Sequence, residues 1–251
     1  MKINMQNTLL TMAFNGKHYH GYQVQKNAIT ICEVLQKAIQ KVYGEKLDIK
    51  GCSRTDSGVH ANGYCVNFFA SKNIPEKKIP LALNAHLPYD IRVLSAKYVD
   101  EDFHARYSSI AKRYVYKIRN SSIASPFTDD FEYRVGYKLD VEKMEYASKH
   151  FIGKHDFAGF MSDGSDIEDT VREVYDFTVV KENDLILFTV TANGYLYNMV
   201  RIMVGTLIEV GSNRMDRDYI KEILIAKNRK LAGDTISAKG LFLDKVFYGN
   251  L

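Results

Sequence analysis

Runs of alternating apolar and polar residues and runs of helical period succeed one another along this chain, in roughly the same order in its two halves. That succession narrows the fold more than any other feature of the sequence. Residues 112–118 set Tyr114, Tyr116 and Ile118 against Arg113, Val115 and Lys117, a strand with two tyrosines on one face. Residues 8–14, 47–53, 64–70, 91–99, 171–180, 185–192 and 241–248 also read as strands. Thr30-x-x-Glu33 reads as a capping box, and behind it Val34, Leu35, Ala38, Ile39 and Val42 fall on one helical face up to Gly44. Further helices are expected from Pro75 to about His86, over residues 141–152, over 198–210 with Gly211 as the C′ stop, and over about 218–226. This mixture predicts an α+β protein whose antiparallel sheets are covered by helices on one face. The polar stretch 120–130, with Pro126, is the candidate domain boundary.

Composition sets outer limits. A chain of 251 residues, 46% of them hydrophobic, can bury a core in one large domain or two smaller ones. A formal net charge of +4 permits a nucleic-acid partner without selecting one. Cys32, Cys52 and Cys65 are scattered and form no C-x-x-C pair, so a reducing cytoplasm is expected rather than a disulfide framework or a zinc site. The first apolar run is too short for a signal peptide, and no window approaches the ~20 apolar residues of a membrane span.

The richest chemistry lies in Arg54-Thr55-Asp56-Ser57-Gly58-Val59-His60-Ala61-Asn62, an Arg, an Asp and a His around a glycine between apolar segments. A carboxylate held by Arg54 stays ionised and can act as nucleophile or base. The same Asp56 can equally close an Asx-turn, with Arg54 as a surface ion pair and His60 simply hydrogen-bonded. Arg201, inside an otherwise apolar helix, must snorkel or find a carboxylate. That partner is either structural or Asp56 itself. Tyr114 and Tyr116 either pack a core or, for one of them, stack on a base. The loop Asn15-Gly16-Lys17-His18-Tyr19-His20-Gly21-Tyr22-Gln23 suits RNA contact or a plain turn. No nearby carboxylate or cysteine completes a metal site with His18 and His20. Phosphate-binding glycine fingerprints are missing from the sequence. Two functional classes fit these residues without further information: a non-catalytic RNA-binding or chaperone module, and an aspartate-nucleophile hydrolase of a small sugar.

Together the segments resemble the TruA family of tRNA pseudouridine synthases over nearly the whole chain. Residues 54–60 match R-T-D-x-G-V-H, and Phe103-His104-Ala105-Arg106 matches F-H-A-R. Lys112-Arg113-Tyr114-Val115-Tyr116 matches K/R-x-Y-x-Y, and Met199-Val200-Arg201 with Gly205 matches M-V-R-x-x-V-G. Residues 14–23, Asn84-Ala85-His86-Leu87-Pro88 with Asp90-Ile91, Gly153-Lys154-His155-Asp156-Phe157 and Gly240-Leu241 resemble further family segments. Tyr22 stands where the family usually has Trp, Ser237 where Pro is common, and Cys32 and Glu33 where Gln and Gly are frequent.

The resemblance implies two ferredoxin- or RRM-like α/β domains, 1–119 and 120–251, with the active-site cleft between them. It implies Asp56 as the catalytic aspartate, Arg54 as the group that displaces the target base, Tyr114 as its stacking partner and Arg201 as the partner of Asp56. Thr55, His60, Phe103, His104, Arg106 and Lys112 would contact the substrate. The enzyme would be a cytoplasmic homodimer, free of cofactor and metal, acting on uridines 38, 39 and 40 of the tRNA anticodon stem-loop.

Overall fold

A computed structural model describes residues 5–164 and 167–249. They form two compact units, one up to residue 110 joined by the residues from 243 onward, the other spanning residues 111–242.

In the first unit, β1 (Gln6–Phe14) leads to α1 (Ile31–Tyr43), a two-residue strand β2 (Lys50–Gly51), β3 (His60–Ala70), α2 (Ile79–Asn84) and β4 (Ile91–Val99). The helix α1 starts where the capping box places it: Thr30 Oγ1 accepts the Glu33 N–H at 3.4 Å. It ends at Gly44, in the left-handed region with φ of 87°. Leu35, Ala38 and Ile39 are buried, while Val34 and Val42 are only half-buried. The expected helix from Pro75 is shorter and opens with a 3-10 turn, Glu76–Lys78. Strand β1 lies between β3 and β4, antiparallel to both, with Phe14 opposite Ala61 on one side and Ile91 on the other.

The second unit comprises β5 (Ala111–Asn120), β6 (Tyr133–Val135), α3 (Val141–Ser148), β7 (Gly153–Asp156), β8 (Val171–Glu182), β9 (Leu185–Ala192), α4 (Met199–Gly211) and α5 (Tyr219–Ala226). Its antiparallel strands run β5-β9-β8-β7, and β6 adds parallel to β5. Tyr114, Tyr116 and Ile118 face inward from β5, as their alternation requires. Chain order then closes with β10 (Leu241–Phe247), which pairs with β3. Both units are thus mostly antiparallel sheets flanked by helices, an α+β architecture.

The units divide at 110/111 and 242/243, rather than at 119/120. The polar stretch after β5 is folded back by specific bonds. Arg119 grips Glu132 through Nε at 2.8 Å and Nη2 at 3.0 Å, and Asn120 Nδ2 donates to the Val135 and Tyr137 carbonyls. Polarity here marks a part-buried ion pair, with the Glu132 side chain 8% exposed, instead of a linker. The chain end returns to the first unit because it packs there: a Cβ on Gly63 would lie 2.6 Å from the Asp244 carbonyl, and Tyr248 Oη donates to the Ala105 carbonyl at 2.8 Å. Gly211 is not a left-handed stop. It is the last residue of α4, where a Cβ would meet Met144 Sδ at 2.6 Å. Among the described residues no helix is long and apolar enough to cross a membrane.

Candidate active site

Asp56 is half-buried, two residues beyond the exposed Arg54 and next to the half-buried Thr55. The segment is tighter than a free loop. Gly58 sits at φ of 79°, the Val59 N–H returns to the Asp56 carbonyl at 3.2 Å, and β3 has already begun at His60. Strand pairing reaches this far because His60, Val59 and Ala61 are all buried.

A second segment, residues 15–23, holds Asp56's loop from beneath. The Gly16 N–H donates to His60 Nδ1 at 3.0 Å. The Tyr19 carbonyl accepts the Gly58 N–H at 3.2 Å and the Ser57 hydroxyl at 3.3 Å, and the Tyr22 N–H donates to the Thr55 carbonyl at 3.4 Å. Two glycines allow this approach: a Cβ would lie 2.0 Å from the Val59 carbonyl oxygen at Gly16 and 2.2 Å from that of Thr55 at Gly21, which also has φ of 77°. Tyr22 stacks on Tyr64, ring centroids 4.5 Å apart, and Tyr64 Oη donates to the Ser53 carbonyl. Tyr19 Oη donates to Asp90 at 2.8 Å; burial, then Asp90, raises its phenol well above the usual range. Gly16, Tyr19, Gly21 and Tyr22, which the sequence marks only as a glycine-hinged aromatic segment, therefore shape the site together with Tyr64, which it marks only as the start of a strand. Lys17, His18 and His20 stay exposed, and among the described residues no metal-binding cluster of three or more His, Cys, Asp or Glu occurs.

The structure brings Arg54, Thr55, Asp56 and His60 together. It sets Phe103, His104 and Arg106 apart, on a turn built over the far end of β3. Asn67 accepts the Ala105 N–H at 2.8 Å, and the Phe103 carbonyl accepts from Asn7 and Asn67. Asn67 is seven residues beyond His60, ~23 Å along an extended strand. His104 Nδ1 accepts the Arg106 N–H at 3.0 Å, and Arg106 is exposed. Burial, with Lys50 and Arg106 nearby, pulls the His104 imidazole below its usual range.

The remaining predicted residues belong to the second unit. Tyr114 is 6% exposed and meets Tyr195 edge-on at 4.9 Å. Tyr195 Oη bonds the carbonyls of Lys112 and Val190 at 3.0 and 2.9 Å, and Lys112 itself is buried. Tyr116 serves packing, its Oη donating to the Ser237 carbonyl at 2.6 Å. Arg201 is half-buried in the first turn of α4. Its Nε donates to the Ile236 carbonyl at 2.7 Å and its Nη1 to Asn198 Oδ1 at 2.6 Å. Asn198, left-handed at φ of 61°, donates in turn to Ser162 Oγ at 2.9 Å. The guanidinium is thereby oriented at the helix start rather than snorkelling.

The family profile described as tRNA pseudouridine synthase matches residues 10–108 and 147–249. The chain belongs to the tRNA pseudouridine synthase family. It is thus an enzyme of that isomerase class. It is 46% identical over 244 residues to tRNA pseudouridine synthase A of Thermoanaerobacter sp. (strain X514), covering 97% of this chain and 100% of the relative. It is 44% identical to the protein of that name from Acetivibrio thermocellus, and 43% identical to tRNA pseudouridine synthase A 2 of Clostridium perfringens, with the same coverage of each. The synthase profile takes in the Asp56 loop and Arg201, while Lys112 and Tyr114 fall between its two matched stretches. Among solved structures, the chain resembles one from an archaeal box H/ACA sRNP Nop10-Cbf5 complex, with a TM-score of 0.37 and 12% identity; the likeness covers 80% of this chain and 44% of that one.

Proposed function

We propose that this synthase isomerises uridine to pseudouridine in the tRNA anticodon stem-loop, at positions 38, 39 or 40, with Asp56 as the catalytic aspartate and no cofactor. The observation that carries the reading is the construction around Asp56. A half-buried carboxylate stands on a loop whose Thr55, Ser57, Gly58 and His60 are each hydrogen-bonded to a second, glycine-dependent segment. A group fixed in this way meets its substrate without reorganising, which is what positioned catalysis requires.

The reaction breaks the C1′–N1 bond, turns the uracil and joins C1′ to C5; the C5 proton departs and N1 gains one. The Asp56 carboxylate suits attack on C1′ or removal of the ribose 2′-proton. The stacked target must first leave its arm, at a cost of a few kcal/mol. Exposed Arg54 is suited to fill the space the base vacates, and Tyr114 to stack on the extruded uracil. Arg201, oriented by Ile236 and Asn198, would be the cationic partner of Asp56. Thr55 would contact the nucleotide, and Phe103, His104 and Arg106 a more distant part of the tRNA; His60 and Lys112, expected as substrate contacts, are buried, and His60 instead braces the loop through Gly16. The enzyme would work in the cytoplasm as a homodimer.

The test is tritium release from anticodon-arm transcripts labelled at uridine C5. The wild type should release tritium, and Asp56→Asn should bind the same tRNA and release none. Release by Asp56→Asn near the wild-type rate overturns the assignment. Binding with no pseudouridine from the wild type would favour a non-catalytic RNA module. Mapping pseudouridine in tRNA from cells lacking the protein then names the positions.

A further inference from the structure

Tyr89 is 97% exposed, yet the turn that carries it is rigid. The Ile91 N–H closes back on the Pro88 carbonyl at 3.1 Å. Arg92 Nη1 lies 3.2, 2.5 and 2.8 Å from the carbonyls of Leu87, Pro88 and Ile91, and its guanidinium carbon is 4.9 Å from the centre of the Tyr89 ring. A cation held against an aromatic ring by three carbonyls fixes that ring's position and attracts its π-face. A large, fully exposed aromatic side chain on such a support contributes nothing to a core.

The strand register says where this ring stands. Phe14 is opposite both Ala61 and Ile91, so the segment before β3, which carries Asp56, and the turn before β4, which carries Tyr89, leave the same end of the sheet. Two strand spacings, ~10 Å, separate their starting points. Tyr107 is also exposed and cation-flanked, but it follows β4 at the opposite end, where Val99 faces Asn7. A short chain of hydrogen bonds joins the Tyr89 turn to the catalytic loop. The Asp90 carbonyl accepts the Asn15 N–H, the Asp90 carboxylate accepts Tyr19 Oη, and the Tyr19 carbonyl accepts from Ser57 and Gly58.

We propose that Tyr89 is a stacking platform for an unpaired base of the RNA substrate, a neighbour of the uridine presented to Asp56. The proposal rests on the tRNA-isomerase reading above. Stacking needs a preformed, accessible π-face and carries no charge, so Tyr89 adds to affinity independently of the phosphate contacts that make binding fall with salt.

Because the chain has no tryptophan, Tyr89→Trp installs a single fluorescent reporter. Placed in the Asp56→Asn background to prevent turnover, its emission should be quenched by saturating tRNA transcript. Independently, Tyr89→Ala should raise KM for the transcript on the order of tenfold, with kcat within twofold and the salt slope of binding unchanged. Tyr89→Phe, which keeps the ring, should restore the wild-type KM. Unquenched emission in a complex confirmed by filter binding overturns the proposal. So does a wild-type KM for Tyr89→Ala, or a Tyr89→Phe variant as weak as the alanine one. A wild-type enzyme that forms no pseudouridine refutes the parent reading instead, so the two failures are distinct.

Discussion

His60 accepts, at Nδ1, the backbone N–H of Gly16 from 3.0 Å away. This one bond ties the first residue of β3 to the turn after β1, and it sets the ring in the tautomer that carries its proton on Nε2. His60 is 1% exposed, so the Gly16 N–H has no water to turn to if the imidazole is removed.

His60→Ala should therefore destabilise the fold by about 1–3 kcal/mol, the cost of leaving a buried donor unmet and a void behind. Gly16→Ala should cost at least as much, since its Cβ would arrive 2.0 Å from a backbone oxygen that cannot turn aside. Urea titration with a constant m-value checks both. Gly16→Ala at wild-type stability would show that the two segments are not locked.

Arg201 separates fork geometry from charge. Its Nε and Nη1 serve two acceptors in fixed directions, the Ile236 carbonyl and Asn198 Oδ1. A lysine ammonium is a single point on a flexible stem and cannot reproduce both. Arg201→Lys, although it keeps the charge, should lose tenfold or more in kcat and about 1 kcal/mol in stability. Single-turnover tritium release at saturating tRNA measures the first, and denaturant unfolding the second. Wild-type kcat in Arg201→Lys would mean that positive charge alone suffices.

Asp156 supplies the acid limb of the second unit's stability. It pairs with Lys227 Nζ at 2.8 Å, accepts the Thr170 hydroxyl at 2.6 Å and accepts the Ala158 N–H at 3.0 Å. The Lys227 contact first, then Thr170, hold its carboxyl below the ordinary aspartate value of 3.8. A carboxyl depressed in the folded state stabilises above its unfolded pKa, and that contribution is lost as pH falls through the lower folded value. Asp156→Asn should thus cost about 1 kcal/mol at neutral pH, and the gap from wild type should close below about pH 4. Thermal unfolding at several pH values tests this; a gap that widens in acid would reverse the sign of the argument.

What could be read without coordinates was whatever local periodicity or a short motif encodes. The capped helix after Thr30, the alternation that buries Tyr114, Tyr116 and Ile118, and β9 all follow from contacts between near neighbours in sequence. The Asp56 motif stands out as a candidate for the same reason: its residue types lie in a few consecutive positions. Polarity misled where a distant partner used it. The stretch after Asn120 reads as a boundary because Arg119 and Glu132 cannot be recognised as a pair from spacing.

The α+β class therefore belongs to the sequence by itself, because patterns of period 2 and 3.6 dictate which faces are buried, and so does the Asp56 motif as a contiguous candidate site. Tertiary structure alone decided that β10 rejoins the first unit, that Gly211 is a packing residue, and that Gly16, Tyr19, Gly21 and Tyr22 underlie Asp56. Each of these depends on two backbones approaching closely from distant points in the chain, and no local pattern records where such approaches occur.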